Sequence, residues 1–264
     1  MQDVKPSILE MIKLSVSATN TLNNFMHSSI SPVFKNHPDQ SHFHSTAMTT
    51  YNRISLWLSD LAIVRDPIHF QLAATCVRSI FEHLLDLKWL ILNPKDAEKF
   101  SAFTLVRRFD IADKISTECK RYPNFDQSLF NSEIKLTSDL QLRIRRDELC
   151  KKNNWVTKTG EPRKPKHWWG ESTEQRAHAV DPNDGKYLQI FLRYYALLSN
   201  HIHPGGVSLI GISGEAIATH FVGLHRLAQD FCLEATEIVC TNFPIPLSVN
   251  EEFHKIFFGD APYY

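Results

Sequence analysis

The sequence predicts an all-α protein, a bundle of about six to eight helices with one basic, tryptophan-containing loop. Three observations carry that expectation. No glycine precedes Gly160, although the chain has 9, and the tight turns of a multi-hairpin β domain need glycine for positive φ. Prolines punctuate the same region at Pro6, Pro32, Pro38, Pro67, Pro94 and Pro123; because proline is tolerated in a helix's first turn and excluded from its interior, each long interval reads as one helix. The third is the apolar run from Phe70 to Ile91, continuous enough to surround a helix rather than stripe one side of it.

Taken in order, helices are expected near 7–30, 40–64, 68–92, 95–121 and 127–152. Asp66-Pro67 and Asn93-Pro94 place a capping side chain before a first-turn proline, and Asn124 after Pro123 is a weaker signal of the same kind. Residues 153–170 read as a loop, followed by a short helix near 172–179. A further helix from about Asp184 to His203 stops at Pro204-Gly205-Gly206, a strong C-terminal signal. Residues 207–214 are short and Gly-punctuated, a last long helix covers about 215–242, and a small one covers 249–258. No repeat or low-complexity tract interrupts the pattern, so 1–264 reads as a single helical domain with the 153–170 loop inserted between helices.

Lys+Arg and Asp+Glu are 29 each in 264 residues, 43% of which are hydrophobic. That balance excludes a globally basic nucleic-acid binder and an acidic disordered chain, and the length suffices for a core without disulfides or structural metal. The five cysteines, Cys76, Cys119, Cys150, Cys232 and Cys240, are odd in number and form no C-x-x-C. They read as thiols of a reducing compartment. With no apolar signal core at the start and no run long enough to span a bilayer, the expectation is a cytoplasmic protein with no membrane partner.

Two polar stripes interrupt helices that should be apolar. Arg78, Glu82 and Asp86 follow at i, i+4 and i+8, within roughly an 80° arc. Unpaired charge on a central helix is costly. One reading makes the stripe a pocket floor, with Arg78 binding an anion and Glu82 orienting that anion or a catalytic histidine. The other makes it an Arg78–Glu82 ion pair on a narrow solvated face. The second stripe is Tyr195, Ser199 and His203 in Y-A-L-L-S-N-H-I-H-P. His203, at an expected helix C-terminus where the dipole favours imidazolium, suits general acid–base work; the plainer alternative is that it caps the helix while Ser199 bonds back to a carbonyl. His201 and His203 point to different faces and are a poor metal pair, as are His42 and His44, so no metal or other cofactor is expected.

From Arg143 to Gly170 nine basic residues face three acidic ones. Trp155, Trp168 and Trp169 interleave with them, the combination that single-strand binders use for stacking and phosphate attraction. Lys164, Lys166 and Trp169 are the candidate contacts of this loop, with Arg193 beside the second stripe. The alternative is a solvated loop whose tryptophans pack back on the bundle.

R-S-I-F-E at Arg78–Glu82, H-W-W-G-E-S at His167–Ser172 and Y-A-L-L-S-N-H-I-H-P at Tyr195–Pro204 resemble a bacterial family of uncharacterised helical proteins. The resemblance covers about 45–245 and implies that the three segments meet in space. The chain is more loosely similar to the HEPN superfamily, small helical bundles, often dimeric, many of them metal-independent ribonucleases of toxin and antiviral systems. Its R-x(4–6)-H signature is matched by Arg78-SIFE-His83, although on a regular helix these two side chains lie about 140° apart and converge only at a kink. That similarity implies a metal-independent endoribonuclease or nucleotide-processing protein. His203 or His83 would act as base, Arg78 would steady the phosphate, RNA or a nucleotide would be the partner, and a homodimer is an allowed assembly. The alternatives are a non-catalytic sensor that binds a small anionic ligand or a protein at Arg78, Glu82, Tyr195 and His203, and an interaction protein whose stripes are purely structural.

Overall fold

The computed structural model describes residues 6–36, 41–122, 128, 131–163, 165, 167–168, 172–195 and 213–258. Among these the fold is all-α, and the only β pairing is an isolated antiparallel bridge between Val156 and Pro162. Eleven α-helical segments are described. The excess over the expected number comes from the five-residue segment Ser31–Lys35, too short to register as sequence periodicity, and from the division of the expected 127–152 helix into Asn131–Ser138 and Leu140–Lys152. Chain contacts divide the molecule into two compact units, Met1–Asn93 with Thr173–Tyr264, and Pro94–Ser172.

In the first unit, α1 (Ile8–Phe25) starts at a capping box: the Ser7 hydroxyl accepts from the Glu10 amide while the Glu10 carboxylate accepts from that of Ser7. A π-turn at Met26–Ile30 leads into α2 (Ser31–Lys35), with Pro32 in its first turn. Helix α3 (His42–Ala62) is capped by Ser41. Asp66 accepts from the Ile68 amide and Pro67 opens the 3-10 turn before α4 (Phe70–Leu92), as the Asp-Pro signal predicts. Helices α8 (Thr173–Ala179), α9 (Lys186–Ile190), α10 (Gly214–Asn242) and α11 (Leu247–Phe258) complete the unit. Helix α4 packs chiefly against α3 and α10. Its Val77, Ile80, Leu84 and Leu87 share one buried core with Tyr51, Leu58, Phe221 and Phe231.

In the second unit, α5 (Ala97–Arg121), α6 (Asn131–Ser138) and α7 (Leu140–Lys152) surround a small core of Ala102, Val106, Cys150 and Trp155. Three expectations need correction. The helix expected over 127–152 breaks at Asp139, whose carboxylate takes the amides of Gln141 and Leu142 and so caps a new helix. Asn93 does not cap α5; its side-chain amide donates to the Trp89 carbonyl and closes the end of α4. The helix expected from Asp184 starts at Lys186, after Gly185 at φ 66, and gives way to a π-turn at Phe191–Tyr195. All five cysteines are free. Among the described residues no helix is long and apolar enough to cross a membrane.

Candidate functional site

Helix α4 sets the site by its own period. Arg78 Nε donates to Glu82 Oε1 at 3.1 Å, with the two side chains 26% and 29% exposed. The ion pair of the plainer reading is therefore formed, but it is not simply solvated. Tyr195, delivered by the π-turn after α9, donates its hydroxyl to the same Glu82 oxygen at 2.5 Å. The Tyr195 ring lies under the guanidinium, 4.7 Å from Arg78 Cζ, and Phe191 stacks beside it at 4.8 Å. The head of the second stripe thus meets the first. Single π-turns re-aim one helical face and recur at functional sites; here the turn presents Tyr195.

Burial is the largest influence on Tyr195 and raises its pKa; the hydrogen bond and charge of Glu82 add to it, against Thr173 and Arg78. The phenol therefore stays a donor. Burial also works against the charge on Arg78, but Tyr195 and Glu82 more than offset it, and its pKa lies above the ordinary value.

The stripe's third member leads inward. Asp86 is buried and pairs with Arg176 of α8, itself 2% exposed. Arg176 Nη2 donates to the Thr173 hydroxyl at 3.1 Å, and Thr173 stands beside the Tyr195 phenol. His83 Nδ1 lies 3.8 Å from the other Asp86 oxygen. A polar chain thus runs Arg78, Glu82, Tyr195, Thr173, Arg176, Asp86, His83. Thr173 and Arg176 carried no sequence signal: a lone arginine on a seven-residue polar helix reads as surface.

The other expected residues divide sharply. Helix α4 is unbroken through Arg78 and His83, so the two stay about 140° apart around its axis, held by different carboxylates. Arg193 is exposed and stacks on Tyr194, 5.2 Å from its ring, outside the chain above. Ser199, His203, Lys164, Lys166 and Trp169 lie outside the described residues. In the basic segment Trp155 and Trp168 are 6% and 3% exposed. They pack edge-on against Phe103 and Phe100, so neither offers a ring for stacking. Basic charge nonetheless concentrates in 94–172, which holds 17 Lys and Arg against 12 Asp and Glu. Among the described residues no group of three or more His, Cys, Asp or Glu side chains could hold a metal ion.

Fold and site together define an all-helical protein built around an arginine–carboxylate–tyrosine network. The chain belongs to a family of unknown function (DUF5677), whose model matches residues 41–215, a span that includes every member of that network. No curated protein and no solved structure matches the chain.

Proposed function

We propose that this chain is a helical module that binds a phosphate-bearing ligand, a nucleotide or RNA, through Arg78. The supporting observation is the posture of the guanidinium: Nε is held by Glu82 and one face by the Tyr195 ring. A guanidinium held in this way presents a pre-oriented planar fork, the geometry that suits phosphate. Titration calorimetry with AMP and with a short RNA tests it. Arg78→Lys is expected to weaken binding at least tenfold, since lysine has neither the fork nor the stack. Absence of binding by the wild-type chain, or binding unchanged in the variant, sinks the proposal.

A catalytic extension, which places the scissile phosphate at His83 and leaves Arg78, on another face of α4, to hold a different phosphate of the strand, rests on a second observation, the approach of His83 Nδ1 to Asp86, which Arg176 holds in place. In this HEPN-like reading a histidine takes the ribose 2′-hydroxyl proton, the 2′-oxygen attacks phosphorus, the P–O5′ bond breaks, and the 5′-oxygen departs as a hydroxyl by taking that proton from the imidazolium. RNA incubated with the protein and EDTA should then yield 2′,3′-cyclic phosphate ends, and His83→Ala should abolish them. Intact RNA after prolonged incubation removes the extension and leaves the binding module.

A further inference from the structure

A second feature lies further along α4. Lys88 stands ten residues from Arg78, about 15 Å along the axis. Its Nζ reaches Glu234 of α10 at 2.8 Å. Lys186 Nζ reaches the other oxygen of Glu234 at 3.2 Å, and the Tyr187 hydroxyl also donates to this carboxylate. Both ammonium groups lie over the Tyr187 ring, at 4.8 Å and 5.2 Å. The fold thus already holds two alkylammonium groups between a carboxylate and an aromatic face.

Beside this cluster opens a cleft of about 400 Å³, within the range of small-ligand pockets. Its apolar lining is Ile190, Leu227, Phe231, Leu233 and Phe258; its polar lining is Asp230 and Glu237 together with Lys186 and Glu234 of the cluster itself, so three carboxylates face one ammonium there. Asp230 and Glu237 flank Glu234 on the same face of α10, at spacings of four and three residues. Glu234 is taken up by its lysines and tyrosine, whereas neither Asp230 nor Glu237 makes an ion pair or hydrogen bond with a described residue. Both carboxylates are exposed, so an arriving cation reaches them without displacing the surrounding side chains.

We infer that this cleft is a binding site for an alkylammonium group. The apolar stem lies on Leu227, Phe231, Ile190 and Phe258, and the ammonium is held by Asp230 and Glu237. The group has two sources of the same chemistry, a free aliphatic amine or a lysine side chain presented by another protein.

Calorimetry on the full chain with n-hexylamine, with n-hexanol, and with a peptide whose single charge is one lysine tests the site and separates the sources. Saturable binding of hexylamine is expected, at least tenfold tighter than hexanol, which has the stem without the charge. Asp230→Asn with Glu237→Gln should weaken hexylamine at least tenfold. Leu227→Trp, which fills the cleft and leaves both carboxylates, should block it. Tighter binding of the peptide than of hexylamine upholds the site and assigns it to a protein partner; the reverse upholds it for a free amine. No saturable amine binding, equal binding of hexanol, or unchanged affinity in the double variant overturns the inference. None of these readouts depends on Arg78, so the site stands or falls apart from the phosphate reading.

Discussion

Arg176→Met is expected to destabilise the chain by about 3–5 kcal/mol, the usual result of removing one partner of a buried ion pair. Arg176 is 2% exposed and Asp86 has a side chain 10% exposed, so neither recovers hydration when the other is lost. The variant leaves the Asp86 carboxylate in the core without its guanidinium, and it frees the Thr173 hydroxyl from Arg176 Nη2. The cost lies in a buried carboxylate that has lost its guanidinium, with His83 at 3.8 Å a weaker partner than the arginine. Asp86→Leu combined with Arg176→Met should therefore recover most of the loss, because two apolar side chains bury well where one charge does not. Thermal melts of the wild type, the single variant and the double variant give the answer. If the single variant melts with the wild type, Asp86 is not charged in the fold and the pair does not anchor the site. If the double variant stays as low as the single, the damage is packing alone.

This pair also shows where the sequence is legible. The central position of α4 follows from an apolar surface on nearly all sides, and the Arg78–Glu82 contact follows from i, i+4 spacing, because both are properties of one helix. The meeting of Tyr195 with Glu82 was expected only as a juxtaposition of two stripes, and it depends on a π-turn that no residue pattern announces. Arg176 was invisible because its burial is decided by which helix α8 packs on. The tryptophans of the basic segment misled for the complementary reason: interleaving of Trp with Lys and Arg describes composition. Trp155 and Trp168 instead supply much of the apolar bulk of the small Pro94–Ser172 unit. The Asp139 break was readable in principle, since Asp before Leu-Gln-Leu is an ordinary helix start. Continuous polarity on both sides hid it.

Stability should also fall steeply between pH 6.5 and about 4, through a group that neither stripe contains. His225 of α10 is fully buried, with Nδ1 2.9 Å from the Thr19 hydroxyl and the Phe221 ring 4.7 Å away. Burial pushes its pKa down from 6.5 to about 4, against a smaller upward pull from the Val64 backbone. Across that window the unfolded chain binds a proton that the fold refuses, so the sign is loss of stability as pH falls. The contribution is absent above pH 6.5 and reaches about 3 kcal/mol below pH 4. Glu234 acts in the same direction lower down: its lysine and tyrosine partners, despite burial, hold its pKa below 4.5, so its loss begins only as carboxylates protonate. The two are separable by substitution. His225→Asn keeps a polar atom toward Thr19 and removes the titration; its melting temperature should be lower at pH 7.5 yet nearly level between pH 6.5 and 5. A wild-type profile equally level over that range would mean that His225 is reached by solvent and charges within the fold. A variant profile as steep as the wild type would place the proton on another histidine.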